Sequence, residues 1–266
     1  MKSIRHGIIL GSGFESDLKV LETIEVETPF NFKKVIVFRV AIGDVETLVV
    51  LRHGVSHENP PHMVEYRANL WSLKELGVNR LLAVNTVGAI NPIMKPGDFA
   101  VPHNLIDFTK RRCYTFYDTQ PVVHIDFTRP YCEELRHFLL KSACKLGEIV
   151  WDKSTYVCTE GPRFETVAEI RMFRVLGADV VGMTGCPEAA LARELGLCYA
   201  SLCIISNMAA GMQSRITSKE VSDIALRKRE VTMRILEETI KSLPSDRSCS
   251  CSILTDSEFK VQYKAL

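Results

Sequence analysis

The 266-residue chain carries 33 Lys and Arg against 32 Asp and Glu, a formal net charge of +1, and 46% hydrophobic residues. Near-neutrality removes the electrostatic case for wrapping nucleic acid or holding to an anionic membrane. With only 15 Gly and 11 Pro, the apolar content offsets chain entropy and excludes a disordered or collagen-like chain. One large domain with a sizeable core is expected.

The first ten residues place only Ile8-Ile9-Leu10 as an apolar run before Gly11, too short for a signal-peptide core or a spanning helix, so a cytoplasmic protein is expected. The strand at 7–10 runs into Gly11-Ser12-Gly13-Phe14, where small residues let backbone N–H groups and a hydroxyl approach an oxyanion. This loop lacks the third glycine of the dinucleotide fingerprint and the Gly-Lys-Ser/Thr of a P-loop, and an ordinary tight turn accounts for it equally well. Strands at 35–40 and 47–51 follow. The second ends in Arg52-His53-Gly54, with His57, His62 and the breaker Asn59-Pro60-Pro61 beyond. A planar bidentate donor beside an imidazole suits a tetrahedral oxyanion. A metal held by His53 and His57 is the rival reading, but Gly54 and the prolines oppose the helix on which such a pair normally converges. Capping or packing in a polar loop accounts for His57 and His62.

A helix over 63–76, with Tyr66, Leu70, Leu73 and Leu76 on one face, stops at Gly77. The strand at 81–85 leads into Asn85-Thr86-Val87-Gly88-Ala89, a third anion-compatible loop, and in open α/β sheets ligands gather where loops leave strand ends. A strand at 99–102 precedes a helix over 130–146, and helices over 165–176 and 187–195 alternate with strands at 180–183 and 199–206. Gly147, Gly177 and Gly196 are their stops. An amphipathic helix over 218–243 ends at Pro244. The domain is therefore drawn as residues 1–244, with a C-terminal linker and tail over 245–266, of which 245–252 is polar linker. The alternation favours an α/β domain with a central mixed sheet covered by helices. Nine scattered cysteines do not make a secreted disulfide framework; most are read as buried free thiols. Cys249-Ser-Cys251 has the wrong spacing for the usual zinc knuckle and reads as two free thiols able to form a bridge.

Three more segments complete the set: Thr159-Glu160-Gly161-Pro162-Arg163-Phe164-Glu165-Thr166, Val181-Gly182-Met183-Thr184-Gly185-Cys186-Pro187-Glu188, and Ile205-Ser206-Asn207-Met208-Ala209-Ala210-Gly211. Together the six segments resemble the trimeric purine nucleoside phosphorylase and methylthioadenosine phosphorylase family, in order, spacing and residue type, over residues 7 to about 243. The likeness is greatest to the 5′-methylthioinosine phosphorylases, in Val122-Val123-His124-Ile125-Asp126-Phe127 and in Met183-Thr184-Gly185 with the helix that follows.

The resemblance implies a single α/β domain whose mixed sheet is partly barrel-like, acting as a phosphate-dependent pentosyltransferase. Phosphate would be held by Ser12, Arg52, His53, Asn85, Thr86 and Thr184. Met183 would lie against the ribose, while Phe164, Glu165, Asn207 and Ala209 would surround the purine. Asn207 and His53 are the implied catalytic residues. His124 of a neighbouring subunit and Ser218 would complete the 5′ pocket, so a homotrimer, or a dimer of trimers, is expected. No metal or organic cofactor is implied, inorganic phosphate being a co-substrate.

Base choice follows from donor and acceptor logic at those implied positions. A carboxamide at 207 can donate to O6 and accept from a protonated N7, and an ionised Glu165 can accept from the N1–H that 6-oxopurines carry and adenine lacks. Adenine-selective relatives place Asp at the position of Asn207 and lack a Glu at that of Glu165. The nucleoside-type relatives' histidine for a 5′-hydroxyl is absent from Ile216-Thr217-Ser218-Lys219-Glu220-Val221, which favours a thioether substituent. The competing functions are an adenine-releasing methylthioadenosine phosphorylase, a non-catalytic purine-binding sensor, and a cysteine enzyme built on Cys186 at a helix N-terminus.

Overall fold

A computed structural model describes residues 4–14, 18–119 and 122–252; the tail drawn over 253–266 lies outside them. Among these residues nine strands form one mixed sheet in the order β2-β3-β4-β1-β5-β8-β7-β6-β9, and β9 pairs back onto β5. Strands β5 (Arg80–Ala89), β8 (Val180–Gly182), β7 (Val150–Thr159), β6 (Phe99–Phe108) and β9 (Cys198–Met208) thus close into a five-stranded barrel. Strands β1 (His6–Leu10), β4 (Val45–Leu51), β3 (Asn31–Ile42) and β2 (Lys19–Thr28) extend from it as a wing. The fold is the single-domain, partly barrel-like α/β arrangement that the resemblance implied.

Among the described residues five α-helices cover the sheet: α1 (Tyr66–Glu75), α2 (Glu133–Lys145), α3 (Val167–Val175), α4 (Gly185–Glu194) and α5 (Ser218–Ser242). One apolar cluster gathers β1, β4 and β9 residues such as Ile8, Val49 and Leu202 with Leu135 and Leu139 of α2 and Ile235 and Leu236 of α5. Another sets Ile9, Leu48 and Leu81 on the opposite sheet face against Leu70 and Leu73 of α1 and Leu191 of α4. These facing sets follow from the period of two along each strand and the 3.6-residue period of each helix.

Among the boundaries that differ from the sequence expectation, three have consequences for the site or for the chain after α5. Strand β5 does not end at Asn85 but continues to Ala89, so residues 86–89 are ladder rather than loop: Thr86 pairs Ile204, and after a bulge Gly88 pairs Asn207. Helix α3 begins at Val167, not at 165, because Thr166 is its N-cap; its side chain accepts from Glu169 N and the Glu169 carboxylate accepts from Thr166 N, a capping box. The stretch 245–252 is not a free linker. Arg80 donates to the Asp246 carbonyl (2.8 Å) and Glu134 accepts from Ser248 N (2.7 Å), which ties it to the sheet edge where β5 and β9 begin.

Strands β1, β4, β5 and β9 are mutually parallel. Their C-terminal ends therefore lie along one edge of the sheet, which fixes where loops bearing polar residues can converge. Among the described residues no helix is long and apolar enough to cross a membrane.

Candidate functional site

A cavity of about 390 Å³ opens at that edge. Ser12 reaches it from the end of β1, Arg52 and His53 from β4, Thr86 from β5, Met183 and Thr184 from β8, and Asn207 from β9. Phe164 and Glu165, from the loop between β7 and α3, close another side. Asn85, Ala209, Ser218 and the exposed His124 are not among the lining residues of the same chain.

Arg52 is 2% exposed and its guanidinium is already engaged. Nε donates to Glu188 Oε1 at 2.5 Å, Nη2 to Glu188 Oε2 at 3.0 Å, and Nη1 to the Val84 carbonyl at 2.8 Å. Of five N–H donors, three are so fixed, which orients the fork and leaves the remaining capacity on Nη1 and Nη2. Tyr199 OH donates to Glu188 Oε2 (2.9 Å), holding the carboxylate in turn. Burial works against the charge on Arg52, but Glu188 more than compensates and keeps the guanidinium above its ordinary titration range. Gly11 makes room for this: a Cβ there would lie 2.8 Å from Arg52 Nη1 and 3.0 Å from the Val84 carbonyl oxygen.

Asn85 sits behind the cavity wall rather than in it, 1% exposed. Ser201 Oγ donates to its Oδ1 (2.5 Å), and its Nδ2 donates to Thr184 Oγ1 (2.7 Å). A threonine hydroxyl that accepts from Asn85 keeps its own proton to donate elsewhere. The chain Ser201–Asn85–Thr184 therefore presents an O–H donor at the cavity wall. Asn85, expected as a direct phosphate ligand, lies behind the wall and orients the Thr184 hydroxyl instead.

His53 Nδ1 lies 2.8 Å from the Asn59 carbonyl oxygen. A carbonyl only accepts, so Nδ1 carries a proton and the ring orientation is set. His57, assigned to loop packing by the sequence reading, lines the cavity as well. It adopts φ +55°, places Nε2 3.4 Å from Ser12 Oγ and its ring 4.8 Å from that of His53.

Asn207, at the end of β9, is 4% exposed. Its Nδ2 donates to the Met208 carbonyl (2.9 Å) and its Oδ1 accepts from Ser206 Oγ (2.8 Å). Each end of the amide retains one further position, a second N–H and a second lone pair. Gly88, opposite in the ladder, leaves room for this amide, since a Cβ there would approach Asn207 Nδ2 to 3.0 Å and oblige it to shift. Glu165 precedes the α3 cap and is thus released from the helix; Thr159 Oγ1 donates to its Oε1 at 2.6 Å. Burial raises the Glu165 pKa above the ordinary carboxylate value, with the Thr159 hydrogen bond opposing it.

A family model described as the phosphorylase superfamily matches residues 5–241. The chain belongs to the phosphorylase superfamily. Among members of the superfamily, it is 47% identical to a 6-oxopurine nucleoside phosphorylase of Pyrococcus furiosus over 258 residues, covering 93% of this chain and 96% of the relative. It is 49% identical to a probable S-methyl-5′-thioinosine phosphorylase of Methanopyrus kandleri over 248 residues, covering 92% and 95%. The solved methylthioadenosine phosphorylase of Schistosoma mansoni in complex with adenine superposes with a TM-score of 0.83 at 34% identity, over 90% of this chain and 91% of that one.

Cys186 departs from what the cysteine-enzyme reading needs. It lies outside the cavity lining at 2% exposure, and burial pushes its thiol up rather than down. The sequence reading missed Glu188, Tyr199 and Ser201, which hold Arg52 and Asn85 from behind the cavity wall. It also missed Val221 of α5, which lines the cavity. The amphipathic pattern of α5 carried a signal for Val221; Glu188 and Ser201 meet Arg52 and Asn85 across more than a hundred residues of chain, beyond any local pattern.

Proposed function

We propose that the chain is a phosphate-dependent purine nucleoside phosphorylase acting on 6-oxopurine nucleosides, 5′-methylthioinosine in particular and inosine and guanosine as well. Its products are the free base and (5-methylthio)ribose 1-phosphate. The observation that carries the reading is that Asn207 and Glu165 line the same cavity as Arg52, His53 and Thr184. One end suits an oxyanion; the other offers a donor, an acceptor and a carboxylate to a purine edge.

A phosphate oxygen attacks C1′ as the C1′–N9 bond breaks, and the bond's electron pair passes into the purine, which takes a proton from solvent at N7. Arg52, Ser12, His53 and the Thr184 hydroxyl hold the phosphate with its charge directed at C1′, aided by the Thr86 backbone. Asn207 donates to O6 and accepts from N7–H, so its stabilisation grows as charge moves onto the base. Glu165 accepts from N1–H, Phe164 packs on the base, with Ala209 behind this wall, and Met183 lies against the ribose. The nucleophile arrives already anionic, so the chemistry needs no metal or organic cofactor.

At the 5′ end, Val221 lines the cavity while Ser218 does not; an apolar contact favours a methylthio group over a hydroxyl. His124, exposed in its own chain, completes a neighbour's 5′ pocket in a homotrimer, or in a dimer of trimers. We place the enzyme in the cytoplasm, in purine and methylthio-sugar salvage. Incubation with methylthioinosine, inosine, guanosine and methylthioadenosine, with and without phosphate, tests the reading. Phosphate-dependent release of hypoxanthine is expected. Base binding without turnover indicates the sensor, and preferential adenine release the adenine-type enzyme.

A further inference from the structure

Four cysteines from three separate parts of the chain meet at the edge opposite the cavity. Cys132 precedes α2, Cys198 opens β9, and Cys249 and Cys251 follow α5. Their four Sγ atoms lie within 4.8 Å of one another, and the Cys198–Cys249 pair is 3.2 Å apart. Three of the four are buried and Cys249 is half-buried, in the apolar cluster beneath α2 and α5. Among the described residues this is the sole group of three or more His, Cys, Asp or Glu with ligand atoms so gathered.

We propose that Cys132, Cys198, Cys249 and Cys251 form a tetrathiolate site for a structural zinc ion, which clamps the segment after α5 to the sheet. A tetrahedral centre with Zn–S bonds of about 2.3 Å sets its sulfurs about 3.8 Å apart, so the observed cluster needs only small adjustments about that spacing. Two disulfides would require sulfurs at about 2 Å and a choice of pairs, whereas a tetrahedral centre uses all four alike. The Cys249-Ser-Cys251 spacing, unfavourable as half of a zinc knuckle, is adequate here because Cys132 and Cys198 arrive from rigid elements. Each thiol releases its proton to solvent on binding, leaving a centre of net charge −2. Arg247 partly offsets that charge: its Nη1 lies 3.9 Å from Cys198 Sγ and donates to the Gly196 carbonyl at 2.9 Å.

The site stands apart from the chemistry. Cys198 is the first residue of β9 and Asn207 the tenth, a separation along the strand of roughly 30 Å at about 3.3 Å per residue. Zinc there secures the fold and takes no part in phosphorolysis.

The test uses the full chain, produced with zinc supplied and purified under reducing, chelator-free conditions. The metal content is expected at about one zinc per chain. Replacement by cobalt(II) should give the sulfur-to-metal charge-transfer and ligand-field bands of a tetrahedral tetrathiolate. Cys249→Ser/Cys251→Ser should lose at least nine-tenths of the zinc, and stripping zinc from the wild type should lower Tm while leaving kcat at moderate temperature unchanged. The cobalt spectrum is read on the wild type, so it stands even if a variant fails to fold. Zinc-free protein with four free thiols, disulfides found by peptide mapping of that same preparation, or zinc content untouched by the double substitution would each overturn the proposal.

Discussion

Glu188 grips Arg52 with both carboxylate oxygens at 2.5 and 3.0 Å, each side chain 1% exposed, so the cation that faces the cavity is aimed by a carboxylate on α4. An unpaired guanidinium at that depth would be costly, and breaking such a pair from one side costs about 3–5 kcal/mol. The pair therefore couples the integrity of the α4 terminus to the Arg52 side of the cavity.

Arg52→Ala should weaken phosphate use by about tenfold to a hundredfold, since a charge-assisted hydrogen bond contributes about 1.5–3 kcal/mol. Glu188→Gln, which keeps the shape and removes the charge, should lower Tm and raise the KM for phosphate more than that for nucleoside. Phosphate saturation curves and thermal melts of both variants check this; an unchanged phosphate KM in Arg52→Ala removes Arg52 from the site.

The Ser201–Asn85–Thr184 chain makes a separate prediction. Asn85→Ala leaves the cavity lining intact but frees the Thr184 hydroxyl to point elsewhere, so the phosphate KM should rise several-fold with the nucleoside KM little altered. Thr184→Ser should retain most activity and Thr184→Val should not. Equal loss in Thr184→Ser and Thr184→Val would argue for packing rather than an O–H donor.

Glu165 supplies the pH dependence. The N1–H acceptor role requires the ionised carboxylate, and burial raises its pKa, so the competent form disappears at a higher pH than for an ordinary glutamate. The specificity constant for methylthioinosine should fall on the acid side through a titration above that range. Glu165→Gln should abolish this limb of the profile, and an identical limb in that variant assigns it to another group.

If His124 serves a neighbouring subunit, mixed assemblies must complement. His124→Ala and Arg52→Ala, each impaired alone, should regain activity when co-assembled, because some cavities then combine a wild-type Arg52 with a wild-type His124. Absence of any gain, or a fully active monomer by light scattering at assay concentration, would contradict the shared pocket.

Much of this site was legible locally. The runs before Gly11, Arg52 and Thr184 are buried strands of branched residues, and each ends in a residue type that names its own chemistry. Strand β2 escaped notice because its residues are exposed or only half-buried; pairing with β3 holds it, and pairing leaves little trace in composition. Strand β7 was hidden by Asp152 and Lys153, whose exposed start interrupts the apolar run, with ladder irregularities opposite at Pro102. The extent of β5 was misjudged because Thr86 and Gly88 read as loop formers, yet Gly88 is small to admit Asn207. Glu188, Ser201 and the four-cysteine cluster depend on contacts that only the folded chain creates.

The central claim is that Asn207 and Glu165 select a 6-oxopurine, and the direct measurement is the ratio of kcat/KM for methylthioinosine to that for methylthioadenosine at saturating phosphate. Wild type should favour methylthioinosine. Asn207→Asp turns a donor toward O6 into an acceptor, an unpaired arrangement costing about 1–3 kcal/mol, so the ratio should fall about tenfold or more, and Asn207→Asp with Glu165→Ser should lower it further. A wild type that prefers methylthioadenosine, or a ratio that stays constant across the variants, would contradict the account of the purine pocket.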